Sequence, residues 1–214
     1  MSILLRRRLN GGLIERTPVF YDYLVFDGTA QVATNVPIPE NGSIKARWGS
    51  ETSRVAQGML YLSGDSGGQI VVRISSYTST IRTIDVRYDA ASSNKVINTS
   101  SNSTYYNFFL TPNRVCGDST VATYTKGSSP HSTTAGVKVS YVSSGSGYTG
   151  RVGIIYIYGV DAADVRTYAG FSEYTPVATL RPCIYGGRPG LWHVEGNKFY
   201  GNTVGAGSLS VANA

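Results

Sequence analysis

Apolar and polar positions alternate with a period of two along most of this chain, the pattern of strands with one buried face. In SIKARWG, residues 43–49, Ile44, Ala46 and Trp48 fall on one side, with Lys45 and Arg47 on the other. In TIRTIDVRYD, residues 80–89, Ile81, Thr83, Asp85 and Arg87 alternate with Arg82, Ile84, Val86 and Tyr88. Aromatic and β-branched runs at 19–26, 29–34, 58–63, 69–75, 104–110, 120–126 and 136–143 read as further strands. Val96-Ile97 is a short one inside the polar stretch 90–103. Residues 151–160, RVGIIYIYGV, form the most apolar run and read as a central strand. Only 161–168, DAADVRTY, has the makings of a helical turn. Asp27-Gly28, the glycine-rich 64–68 and the polar stretches 127–134 and 143–150 supply turns, while Pro37 and Pro39 mark a loop or edge. Roughly twelve or more strands at this spacing predict an all-β fold, an antiparallel two-sheet β-sandwich of the jelly-roll type, over residues 17–214.

The C-terminal part of the pattern, residues 175–202, is distinctive. An apolar strand-like run, 177–180, passes through Arg181-Pro182-Cys183 into the turn-rich 186–190. Two aromatic pieces follow, 191–194 and 198–200, joined by Glu195-Gly196-Asn197. Gly and Asn tolerate positive φ, so a hairpin is expected there.

Composition agrees with this pattern. Among 214 residues there are 16 Tyr and 25 Gly but only 15% charged residues. The formal charge of +6 is unevenly placed: residues 1–16 hold Arg6, Arg7, Arg8 and Arg16 against Glu15, leaving +3 for the remaining body. With its other arginines scattered singly, that body lacks the basic stripe of a nucleic-acid binder, so no nucleic-acid partner is expected. Residues 1–16 stand apart from the β pattern. Ile3, Leu4, Leu5, Arg6, Arg7, Arg8 and Leu9, followed by Gly11-Gly12, read either as a disordered tail or as an arm that orders by docking on a partner. Three arginines directly after a short apolar start do not make an export signal, and no run is long enough to span a membrane. Cys116 and Cys183 are accordingly expected as reduced, buried thiols.

Candidate catalytic chemistry is sparse. Gly64-Asp65-Ser66-Gly67-Gly68 matches the nucleophile motif of chymotrypsin-like proteases. Their triad needs a histidine upstream of the serine, whereas His131 and His193 both lie downstream, so a tight turn is expected. The five glutamates, Glu15, Glu40, Glu51, Glu173 and Glu195, do not form the paired carboxylates of a glycosidase strand. Two His and two Cys without short spacing do not make a zinc site. A metal site from Asp27, Asp118 or Asp161 with backbone carbonyls is the remaining candidate, and no P-loop or dinucleotide fingerprint is present. No cofactor is expected. Tyr105, Tyr106, Tyr141, Tyr148 and Tyr156 either pack as half-buried strand residues or line a sugar-binding face.

The C-terminal segment resembles the closing motif of laminin-G-like, concanavalin A-like jelly-roll domains in structural proteins of gut bacteriophages, crAss-like and related. The resemblance is carried by Leu180, Pro182, Cys183, Gly190, Leu191, Trp192, Lys198, Phe199, Tyr200 and Asn202, with a glycine-rich finish at 205–208. Arg181 is inserted before the proline, and His193 replaces the usual acid. Residues 23–34, YLVFDGTAQVAT, resemble the family's opening strand, and residues 90–150 match nothing in it. The resemblance implies a non-enzymatic virion protein, a capsid decoration, head fibre or tail component, assembled in the host cytoplasm. Its implied partners are other virion structural proteins and further copies of itself, as a trimer. The arm would then be the docking segment. A lectin-like adhesin binding host surface glycans is the alternative, and no membrane partner is implied.

Overall fold

The computed structural model describes residues 7–9, 12–14, 17–49, 57–63, 68–77, 81–90, 95–100, 105–117, 120–141, 146–162 and 165–214. Strands with one apolar face must bury it against a second layer, and here they form two facing antiparallel sheets. The smaller sheet runs Lys95–Ser100, Ile81–Tyr88, Gln69–Tyr77, Gln57–Ser63, Lys138–Val139, Val32–Ala33. Ser146–Gly147 adds one parallel pairing to Gln57–Ser63. The larger sheet runs Thr120–Thr123, Arg114–Gly117, Tyr105–Leu110, Ser43–Gly49, Ile155–Tyr158, Ala178–Tyr185, Arg188–His193, Lys198–Tyr200. Thr149–Val152 lies beside Ser43–Gly49 and Tyr23–Asp27. Tyr23–Asp27 also pairs with Leu209–Ala212, so early and late segments of the chain share one ladder.

The alternation expected at 43–49 and 80–89 is the sandwich seam. Ile44, Ala46 and Trp48 face Ile84, Val86 and Tyr88 within one buried cluster. The buried aliphatic side chains among them, Ile44, Ile84 and Val86, each contribute about 1.5–3 kcal/mol by leaving water. Tyr148 is also fully buried; its hydroxyl accepts from Gly49 N at 3.0 Å and donates to Gly49 O at 3.2 Å, so its polar tip is satisfied inside the core.

Several expected elements differ in their limits. The run 19–26 breaks at Tyr21-Asp22 into Val19–Phe20 and Tyr23–Asp27, which pair with different neighbours. The run 151–160 splits at Gly153-Ile154, yet Ile155–Tyr158 is central, between Ser43–Gly49 and Ala178–Tyr185. Among the described residues of 136–143 only Lys138–Val139 is strand, because Ser140 takes φ +58° and its hydroxyl ties Ala30 O to Tyr148 N. The polar stretch 143–150, expected as a turn, contributes Ser146–Gly147 and the start of Thr149–Val152.

The helical turn expected at 161–168 forms one step later, as a 3-10 helix over Tyr168–Glu173 capped by Thr167. Its position is set by Phe171, which is fully buried against Phe109 and Tyr158 on the outer face of the larger sheet. With Cys116, Ala162 and Val165 these residues make a second, smaller core.

Arg7–Leu9 and Gly12–Ile14 pair as a two-stranded sheet of their own. Part of the expected arm is therefore a hairpin; Ile3, Leu4, Leu5 and Arg6 lie outside the described residues. Of the glycine-rich motif at 64–68, residues 64–67 also lie outside them, while Ser63 and Gln69 on either side pair directly.

Candidate functional site

The C-terminal motif residues gather at one corner of the larger sheet. Ala178–Tyr185 and Arg188–His193 are joined by Gly186-Gly187, at φ +57° and +77°, the two-residue turn whose twist suits a hairpin. The strand therefore runs on past the expected 177–180 and through Pro182. Pro182 has no N–H to give. In an extended strand a residue's N and O point to the same edge, and Pro182 O accepts from Tyr21 N at 3.0 Å. Its missing donor thus faces the gap between Ile155–Tyr158 and Val19–Phe20, and no ladder bond is lost.

Cys183 is buried opposite Gly190, and burial pushes its thiol up to about 11. Neither it nor Cys116 is in a disulfide, and both are buried, a setting unlike the electropositive, partly exposed one of a reactive cysteine. Leu191 and Tyr200 enter the main core, and Lys198 lies over the Tyr200 ring at 5.3 Å. On the opposite face Trp192 and Phe199 flank Tyr185, with ring centroids 5.2 and 5.5 Å apart. Asn202 works through its carboxamide. The oxygen accepts from Gln31 N and Val204 N, both at 3.0 Å, and the nitrogen donates to Val204 O and Gly207 O, both at 2.6 Å. The glycine-rich finish is thereby folded around one side chain. A cleft of about 620 Å³ opens there, lined in part by Arg188, Phe199, Asn202, Thr203 and Ser208.

A second group lies on the outer face of the same sheet, where alternation points Tyr23, Lys45, Arg47, Tyr105, Arg151 and Tyr156 away from the core. Tyr23 and Tyr105 stack at 4.7 Å with 17° between planes. The Arg47 guanidinium sits 4.9 Å from the Tyr105 centroid, and Arg151 Nη1 donates to the Tyr105 hydroxyl at 2.7 Å. Lys45 Nζ lies 4.2 Å from the Tyr168 ring centre and 5.7 Å from that of Tyr156. Burial depresses the Lys45 ammonium pKa and pushes Tyr168 up to about 12. Of the five tyrosines expected on a face or in a core, Tyr105 and Tyr156 are half-buried out here, while Tyr106, Tyr141 and Tyr148 are buried.

The carboxylates have structural partners. Asp27, a metal candidate from the sequence, accepts from Thr29 N, Thr29 Oγ1, Ala30 N and Ser208 N. Burial acts to raise its pKa, and these bonds more than offset that, holding the carboxyl well below the usual range. Its oxygens are thus spent on the chain's own backbone. Asp161 is exposed in a loop, and Asp118 lies outside the described residues. No cluster of three or more His, Cys, Asp or Glu suited to a metal occurs among the described residues. Glu195 accepts from Thr179 N and Oγ1 at 2.6 and 2.8 Å, closing the turn before Lys198–Tyr200.

His131, placed by sequence in a polar loop, is buried. Its Nδ1 lies 2.5 Å from Asp89 Oδ1 and its Nε2 3.1 Å from Ile38 O. Both nitrogens face acceptors, and Lys126 stands 3.7 Å from the same carboxylate. No serine hydroxyl is bonded to His131 in this group, which pins a loop against the sandwich.

No protein-family model matches the sequence, and no curated protein matches it. The fold is similar to that of a heptameric SAP-like pentraxin from Limulus polyphemus. The TM-score is 0.60 at 10% identity, over 89% of this chain and 95% of that one. A weaker likeness, TM-score 0.47 at 11% identity, relates 69% of this chain to 28% of the enzymatically active domain of tailspike protein 2 from bacteriophage CBA120. The chain is a two-sheet β-sandwich, a jelly roll of the concanavalin A-like kind found in pentraxins. At 10% identity the likeness concerns the fold, and a jelly roll hosts many unrelated functions.

Proposed function

We propose that this chain is a non-enzymatic structural protein of a bacteriophage virion, displaying its sandwich on the particle as a capsid decoration, head fibre or tail-associated component. The observation that carries this reading is the C-terminal motif from Leu180 to Asn202, which resembles the closing segment of such virion proteins. Its residues meet at one corner of a jelly roll, in packing and hydrogen-bonding roles. On this reading the chain docks on neighbouring virion proteins through residues 1–16 and assembles with copies of itself as a trimer. Deleting residues 2–12 should leave a folded sandwich that no longer joins particles purified from infected cells. Incorporation of the truncated chain at the full-length level would refute the docking role.

A second reading, a lectin-like adhesin for surface glycans, is favoured by the outer-face tyrosines Tyr105 and Tyr156, half-exposed beside Lys45 and Arg47. Display on a particle and glycan binding are compatible.

A further inference from the structure

Three cations of the outer face, Lys45, Arg47 and Arg151, are brought together by the order of strands in the larger sheet. None is paired with a carboxylate among the described residues. They are held instead by aromatic rings and a phenol: Arg47 over Tyr105, Lys45 over Tyr168, Arg151 on the Tyr105 hydroxyl. Cation–π contacts of this kind orient a charge without neutralising it. The nearby acid Asp22 accepts from Ala214 N at 2.9 Å.

The grouping is built by the fold. Ser43–Gly49 supplies Lys45 and Arg47, Thr149–Val152 supplies Arg151, and Tyr105–Leu110 supplies Tyr105 from the other side of Ser43–Gly49. Tyr23 comes from the strand beyond Thr149–Val152. Gly153 N donates to Arg47 O at 2.8 Å, and a Cβ added at Gly153 would meet Arg47 Cβ at 3.4 Å. The result is an electropositive, hydroxyl-bearing patch whose cations are pre-positioned on a rigid sheet.

We infer that this patch is a binding site for an acidic polysaccharide, with Arg47 and Arg151 pairing the sugar's anionic group and the tyrosine hydroxyls bonding its ring hydroxyls. The inference supplies the ligand class for the adhesin reading and is independent of docking on a virion. The composition of the patch selects this ligand. The core of a protein interface is depleted of charged residues, whereas three cations group here, with Asn107 and Val25 beside them. A nucleic acid is tracked by a run of cations along its backbone, and this is a compact triad. Guanidinium groups match carboxylate and sulfate geometry, and a sugar carrying either supplies hydroxyls around it.

The test is titration calorimetry on the full-length chain with polygalacturonate, dextran sulfate, neutral dextran and poly-glutamate. Saturable binding to at least one acidic polysaccharide is expected, none to dextran, with weakening as salt rises from about 50 to about 300 mM. Which acidic polymer binds tells carboxylate from sulfate. Arg47→Ala and Arg151→Gln should each lower affinity at least about tenfold, as loss of an ion-pairing group in a preformed site does. Lys138→Ala, which removes the same charge from an exposed position on the smaller sheet, should change it less than about twofold. Melting curves identify any variant that has lost its fold, and Arg47, being exposed, should keep it. Equal losses with Lys138→Ala would overturn the site in favour of bulk charge. Stronger binding of poly-glutamate, or no binding of either acidic polysaccharide, would overturn the ligand class. Particle incorporation of Arg47→Ala at the full-length level leaves the virion reading intact whatever the calorimetry gives.

Discussion

Gly190→Ala is the sharpest perturbation of the C-terminal corner. Gly190 lies within Arg188–His193 opposite Cys183, and its φ is outside the left-handed region, so the backbone itself accepts alanine. The obstacle is space. A Cβ there would stand 2.7 and 2.8 Å from two Phe199 ring carbons and closer still to the Tyr200 carbonyl oxygen. Phe199 is half-buried and can turn aside. The carbonyl cannot, because Tyr200 is held by its ladder pairing with Leu191. Accommodating the methyl therefore means displacing Lys198–Tyr200 and, with it, the Tyr200 ring in the main core. Overpacking of this kind costs about 1–3 kcal/mol, and removing a strand glycine returns about 0.5–1 kcal/mol. The expected net loss is about 1–2 kcal/mol, or about 2–8 °C in Tm for a domain of this size. Urea unfolding followed by tryptophan fluorescence and far-UV circular dichroism measures it. Gly186→Ala is the contrast: its φ is +57° with nothing within 4 Å of the new methyl, so only the conformational cost of about 1 kcal/mol applies. Adding Phe199→Leu to Gly190→Ala should recover little, since the carbonyl remains. A Gly190→Ala protein as stable as the parent, or more stable, would refute the close approach as the reason for glycine there.

Asn202→Asp keeps the acceptor used by Gln31 N and Val204 N but loses both donors and sets a carboxylate against two carbonyls. It should cost about 1–2 kcal/mol and speed amide exchange at residues 203–208, with unchanged exchange there as the refuting result. Asp27→Asn addresses pH. The Asp27 carboxyl is depressed on folding, so its contribution to stability is complete above the ordinary carboxylate range and is lost as pH falls toward the folded value; the depressed Glu195 has the same sign. Melting temperature should therefore fall from about pH 5 downward, and the fall should be shallower in Asp27→Asn. Parallel pH profiles for the two proteins would count against the role given to Asp27.

What was legible in the sequence was whatever depends on local alternation. Residues 43–49 show it best: one stretch announces both Ile44, Ala46 and Trp48 for the core and Lys45 and Arg47 for the opposite face, because side chains in a strand alternate whatever the strand pairs with. The C-terminal hairpin at Asn197 was legible for a similar reason, since it carries its turn chemistry locally, whereas of the turn-rich 186–190 only Gly186-Gly187 is turn and the rest is strand. The outer-face patch was not. Lys45 and Arg47 are two residues apart, but Tyr105, Arg151, Tyr23 and Tyr168 reach them only through the order of strands in the larger sheet, and that order joins distant segments.

Tyrosine hides the distinction further. Its ring suits a core and its hydroxyl suits a surface, so Tyr105 and Tyr148 look alike until Gly49 is found bonding the Tyr148 hydroxyl from inside. The same holds for the misplaced helical turn. Residues 161–168 carry the helix formers Ala162, Ala163 and Arg166, but the turn settles at Tyr168–Glu173 because Phe171 finds Phe109 and Tyr158, two outward residues of the larger sheet that no local pattern marks as a second core. That small core has a consequence for the binding face. Tyr168 opens the same 3-10 helix that Phe171 anchors, and it is Tyr168 that holds Lys45. The second core therefore fixes one wall of the cationic patch, and the patch is as rigid as the packing of Phe171.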